Sequence, residues 1–88
     1  MTREQVLIDL EEIASLHLGR SGGLRLDMDL IEDLELDSLL LLILAVEVEN
    51  RFEICLDQEE EAAIRTVGDL AETVIRKVSE KSGTERVG

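Results

Sequence analysis

A chain of 88 residues with a formal charge of −12 makes one domain with a modest core, and its acidity repels nucleic acid and anionic membranes alike. Pro is absent, Phe52 is the sole aromatic, and Leu, Glu and Ala dominate, so a sheet has little support and an aliphatic helical bundle has much. The single Cys55 excludes an internal disulfide framework and fits a reducing cytoplasm.

Thr2 with Gln5 three residues on has the pattern of a capping box. Val6, Leu7, Leu10, Ile13 and Ala14 follow at helical spacing, with Glu4, Asp9, Glu11 and Glu12 toward water. Gly19, Gly22 and Gly23 end this first helix near Leu18. His17 has no second histidine with which to build a metal or catalytic site.

Residues 19 to 36 form a long connection, a length that calls for a reason in a compact domain. Leu24, Leu26, Met28, Leu30, Ile31, Leu34 and Leu36 are expected to pack it over the core. Its acids, Asp27, Asp29, Glu32, Asp33 and Glu35, lack the glycine and closing Glu of a calcium loop and read as a solvated acidic segment. No metal is expected.

Asp37 is a good helix N-cap, and it places Ser38 at the first helical position beside the positive end of the helix dipole. A phosphate ester on that hydroxyl would be favourably placed. In the helix that follows, Leu41, Leu44, Ala45, Val48 and Phe52 share one face and form the core stripe. The opposite arc carries Ser38, Glu47, Glu49, Asn50 and Arg51, and also Leu39, Leu40, Leu42, Ile43 and Val46. That is more apolar surface than a solvated face should hold, which marks either a binding surface or a face covered by the chain's own loop or by self-association. The apolar run Leu39 to Val46 is too short to span a bilayer, and no leader segment precedes the first helix, so a cytoplasmic protein without membrane insertion is expected.

Glu53-Ile54-Cys55-Leu56 returns apolar groups to the core. Asp57 and Glu60 then repeat the capping-box pattern before a short helix over Gln58 to Ile64. Cys55, among acids and without a base, is a packed or half-exposed thiol rather than a nucleophile. Thr66 and Asp69 cap a last helix whose stripe is Val67, Leu70, Ala71, Val74, Ile75 and Val78. Residues 79–88 are polar and read as a flexible C-terminal tail after a domain spanning residues 1–78. The fold class is all-α: a small four-helix bundle, three main helices plus a short third one, with a long loop between helices 1 and 2.

Glu32-Asp33-Leu34, Asp37-Ser38-Leu39, the long helix ending at Phe52, and Ile64-Arg65-Thr66-Val67-Gly68-Asp69-Leu70 together resemble the acyl carrier protein family. The resemblance covers roughly Thr2 to Val78. It implies a 4′-phosphopantetheine arm, covalently attached to Ser38 by a phosphopantetheinyl transferase and holding acyl groups as thioesters. It also implies a non-catalytic protein acted on by an acyltransferase, a ketosynthase or acyl-activating enzymes, working as a monomer. The partner face would comprise Asp37, Leu39, Leu40, Leu42, Ile43, Val46, Glu47 and Glu49. An acyl pocket would be walled by Ile31, Leu34, Leu41, Ala45, Val48, Leu56 and Ile64. Two departures stand out: Leu40 and Ile43 occupy positions often acidic in the family, and Glu35 stands where Gly is common. Three readings remain open, namely a carrier for a specialised polyketide or lipid pathway, a general fatty-acid carrier, and a helical interaction module that keeps the fold without the arm.

Overall fold

The computed structural model describes residues 1–20 and 22–87, with the side chains of 82–87 outside the description. Among the described residues four helices follow one another: α1 (Arg3–His17), α2 (Ser38–Phe52), α3 (Gln58–Ala63) and α4 (Val67–Val87). Each begins where a side chain satisfies the unpaired N–H groups of the first turn. Thr2 and Gln5 form the capping box of α1, and Asp57 and Glu60 that of α3. Asp37 accepts from Leu40 N at 2.9 Å, and Thr66 Oγ1 accepts from Asp69 N at 3.0 Å.

α1 packs against both α2 and α4. Val6, Leu10, Ile13 and Ala14 of α1 meet Leu44, Val48 and Phe52 of α2 and Val67, Leu70, Ala71 and Val74 of α4 in one aliphatic core. The connection between α1 and α2 lies over that core through Leu24, Leu30, Leu34 and Leu36, all buried. Ile31 is the exception to the expected packing, at 61 % exposed.

Backbone bonds fasten this connection to the start of α4. Leu30 N donates to Arg65 O at 2.9 Å, Val67 N to Met28 O at 2.9 Å and Gly68 N to Leu26 O at 2.8 Å, with Asp29 and Thr66 in an isolated antiparallel bridge. Gly68 is required there, because a Cβ would lie 2.9 Å from the Leu26 carbonyl oxygen. Glu11, expected to face water, instead accepts from Leu24 N at 2.8 Å and ties the connection to α1.

α4 also departs from expectation at its end. It continues as helix through Val87, past the tail expected from Ser79 onward. No proline interrupts this stretch, and its one glycine, Gly83, costs only about 1 kcal/mol relative to Ala in a helix.

Glu35 takes a left-handed conformation, φ 55°, just before the turn into α2. That conformation costs a non-glycine residue about 1–2 kcal/mol, which explains why glycine suits the position. Glu35→Gly relieves the strain but loosens the unfolded chain by roughly 0.4–1 kcal/mol. A net stabilisation of about 0.5–1 kcal/mol is expected in urea denaturation.

Candidate functional site

Ser38 is exposed at the first position of α2, directly after the extended Asp37 cap (φ −92°, ψ −177°). Its hydroxyl has no hydrogen-bond partner among the described residues, whereas the Asp37 carboxylate is committed to Leu40 N and the Asp37 carbonyl to Leu41 N. The serine is therefore free to react, while the residue before it holds the helix end in place.

Beside Ser38 lies a groove of about 850 Å³ bounded by α2, α3, the 29–32 turn and the link into α4. Leu41, Leu42 and Ala45 of α2 face Leu30, Ile31, Leu56, Ala62 and Ile64 across it, and Asp29, Glu32, Gln58, Glu61 and Arg65 supply its polar wall. Of the seven residues expected to wall a pocket, Ile31, Leu41, Ala45, Leu56 and Ile64 line this groove. Leu34 and Val48 do not. They are 5 % and 0 % exposed within the central core, Val48 on the buried stripe of α2 and Leu34 in the connection that lies over that core. Ala62, Glu61 and Gln58 were not anticipated, yet their i, i+3, i+4 spacing already places them on one face of α3.

The residues expected on the partner face separate into two groups. Leu39, Leu42 and Val46 are exposed, at 64 %, 59 % and 42 %. Leu40 packs partly against the core, and Ile43 is half-buried. Glu49 turns inward, its carboxylate accepting from Leu56 N at 2.7 Å and so fixing the chain after α2. Glu47 lies 3.3 Å from His17 Nε2 across the α1–α2 seam.

The acidic turn is likewise engaged internally. Asp29 Oδ1 accepts from Ile31 N at 2.8 Å and Glu32 N at 2.9 Å, and Asp33 Oδ2 accepts from Asp29 N at 2.7 Å. The Glu32 and Ile31 N–H groups hold the Asp29 carboxyl below its ordinary range, with Arg65 adding a smaller push in the same direction. Cys55 is a free, exposed thiol.

α3, the outer wall of the groove, has no buried residue. Glu60 holds it, accepting from Asp57 N at 3.0 Å and pairing with Lys77 at 3.1 Å and Arg76 at 3.2 Å on α4. The Asp57 N–H first, then Lys77, hold the Glu60 carboxyl below its ordinary range. A carboxyl depressed on folding stabilises the fold above its unfolded pKa, about 4.3 for Glu, and that contribution is lost as pH falls through the depressed folded value. Acidification below about pH 4 is therefore expected to lower the amide-exchange protection of α3, taken relative to the intrinsic rate at each pH, before that of α1 and α4. Glu60→Gln should produce the same loss of protection in α3 at neutral pH.

Comparison with known proteins gives concordant matches. The family model described as phosphopantetheine attachment site matches residues 9–74. An acyl carrier protein of Exiguobacterium sibiricum is 33 % identical over 79 residues, 89 % of this chain and 100 % of that one. The meromycolate extension acyl carrier protein of Mycobacterium leprae is 29 % identical over 83 residues, 93 % of this chain and 71 % of that one. The crystal structure of an acyl carrier protein from Thermotoga maritima superposes with a TM-score of 0.81 at 29 % identity, over 89 % of this chain and 92 % of that one.

Proposed function

Because the chain belongs to the acyl carrier protein family, whose members are non-catalytic carriers with a phosphopantetheine attachment site, we propose that Ser38 is the residue that bears the arm. The observation that supports this is the exposed, uncommitted Ser38 hydroxyl at the N-terminus of α2, opening directly on the apolar groove. The residues present fit the group. The positive end of α2 suits a phosphodiester on Ser38, and Leu41, Ala45, Leu56 and Ile64 suit a hydrocarbon chain. When attached, 4′-phosphopantetheine supplies a terminal thiol that holds an acyl group as a thioester.

The chain's own residues do physical work. Asp37 fixes the helix end so that Ser38 stays at the surface. The groove walls take apolar surface out of water at about 25 cal/mol per Å², which favours a sheltered chain over one trailing in solvent. α3, attached through Glu60, is the wall held most lightly.

Acyl carriers work with biosynthetic enzymes and a modifying transferase. For this chain we assign those roles to a phosphopantetheinyl transferase and to an acyltransferase, ketosynthase or acyl-activating enzyme, which the exposed Leu39, Leu42 and Val46 would meet. The first turn of α2 contains no acid, and this apolar entry supports service in a specialised lipid or polyketide pathway over general fatty-acid synthesis. A lipid-specialised relative, the meromycolate extension carrier, is consistent with that choice. We place the carrier domain at residues 1–78, the remainder being an appendage, and the protein in the cytoplasm as a monomer. No described helix is long and apolar enough to cross a membrane.

The test is loading from an acyl-coenzyme A with magnesium and a broad-specificity transferase, followed by intact mass. The expected product gains one acyl-phosphopantetheinyl group, and neutral hydroxylamine then removes the acyl part alone, as a thioester requires. A folded protein that gains nothing would be an interaction module without an arm.

A further inference from the structure

We propose that Arg65 and Glu61 hold the attached arm itself along the groove, Arg65 donating to the arm's amide carbonyls and Glu61 accepting from its amide N–H groups. This rests on the carrier reading of Ser38 and assigns residues to the arm rather than to its cargo. Ser38, Glu61 and Arg65 line one groove, and Arg65 is the only cation among the described residues around it. The chain has 21 acids against 9 Lys and Arg, so a cation without a carboxylate partner is unexpected. Arg3, Arg25, Arg51, Arg76, Lys77 and Lys81 each have one. Arg20 has none among the described residues, but it does not line the groove. Arg65 has none either, although Asp29, Glu32 and Glu61 share the groove with it. Its guanidinium acts on Asp29 only through space.

The backbone of Arg65 is fixed while its side chain is not. Arg65 O accepts from Leu30 N at 2.9 Å, and Arg65 N donates to Asp69 Oδ2 at 3.1 Å. The stem therefore starts from a set point on the rim, and the planar fork of N–H donors remains available. Glu61, on α3, has a carboxylate that bonds to no described residue and can only accept. The rim thus offers uncommitted donors and acceptors beside the apolar walls of Leu41, Ala45, Leu56 and Ile64. A hydrocarbon chain uses neither. A secondary amide needs both, one for its N–H and one for its C=O, and the phosphopantetheine arm carries amides between its phosphate and its thiol. A carboxylated acyl head fits less well, because Asp29, Glu32 and Glu61 outnumber the single cation.

The experiment is NMR of the chain loaded with an isotope-labelled arm and no acyl group, on the wild type and on Arg65→Ala, Arg65→Lys, Glu61→Ala and Arg25→Ala. Arg25 is exposed, pairs with Asp27 and does not line the groove, so it controls for the loss of one positive charge. In the wild type the arm's amide signals are expected to differ from those of free phosphopantetheine and to show contacts to the methyl groups of Leu41 and Ile64. Arg65→Ala should move the balance of held and free arm about fivefold toward the free, the loss of one hydrogen bond, with the carbonyl signals responding most. Glu61→Ala should act chiefly on the N–H signals. Arg65→Lys, which keeps the charge and part of the donor set, should preserve part of the displacement, and Arg25→Ala all of it. Spectra taken before loading should overlay, since neither the Arg65 nor the Glu61 side chain bonds to a described residue. Wild-type arm signals at the free values overturn the proposal, as do carbonyl signals unmoved by Arg65→Ala or an equal loss in Arg25→Ala. Intact mass confirms loading before any spectrum, so a chain that is never loaded sinks the Ser38 assignment instead, a separable result.

Discussion

Ser38→Ala is expected to abolish loading altogether while shifting the stability of the fold by no more than about 0.5 kcal/mol, as for other exposed positions. The two readouts separate because Ser38 does no structural work. The cap of α2 belongs to Asp37, which accepts from Leu40 N, and the Ser38 hydroxyl makes no bond within the described residues. No other described serine is placed to substitute. Ser15 and Ser79 stand on the sides of α1 and α4, neither at the first position of its own helix, and neither lines the groove. Intact mass and a thermal melt on the same preparation check both halves of the expectation.

Phe52→Ala is expected to do the reverse, costing about 3–5 kcal/mol, the usual range for deleting a buried Phe side chain. A chain of this size has roughly 5–10 kcal/mol in total, so the variant should sit near the edge of folding at room temperature. Phe52 is the only aromatic in the protein and is 8 % exposed at the end of α2. Its neighbours in the core are Val, Leu, Ile and Ala, none of which can swing a large planar group into the void. Urea denaturation should show a greatly lowered midpoint. Leu39→Ala on the same helix, at 64 % exposed, should leave that midpoint almost unchanged.

The helices were readable from the sequence because their starts are written in local chemistry. Thr2 and Gln5, Asp37, Asp57 and Glu60, and Thr66 and Asp69 each cap a helix within four residues, and each does so in the structure. Their ends are less well marked. α4 passes Val78 because nothing after it stops a helix. Periodicity placed Leu44, Val48 and Phe52 of α2 in the core, but it set Leu40 and Glu49 on the outer arc, where the structure turns both inward, and it could not say which neighbour each buried residue meets. Val48 and Leu34 went into the core rather than the groove for that reason.

The carboxylates were harder to read than the apolar positions. Glu11 accepts from Leu24 N thirteen residues away, and Glu49 from Leu56 N seven residues away. Both bonds depend on where a loop returns, which spacing along the chain does not encode.

The most direct measurement is peptide mapping of the loaded wild-type chain by tandem mass spectrometry. The phosphopantetheinyl group is expected on the fragment that contains Asp37-Ser38-Leu39, with Ser38 as the modified residue and every other serine unmodified. A group on Ser15 or Ser79, or none on a folded chain, would contradict the assignment of Ser38 as the point where cargo is held.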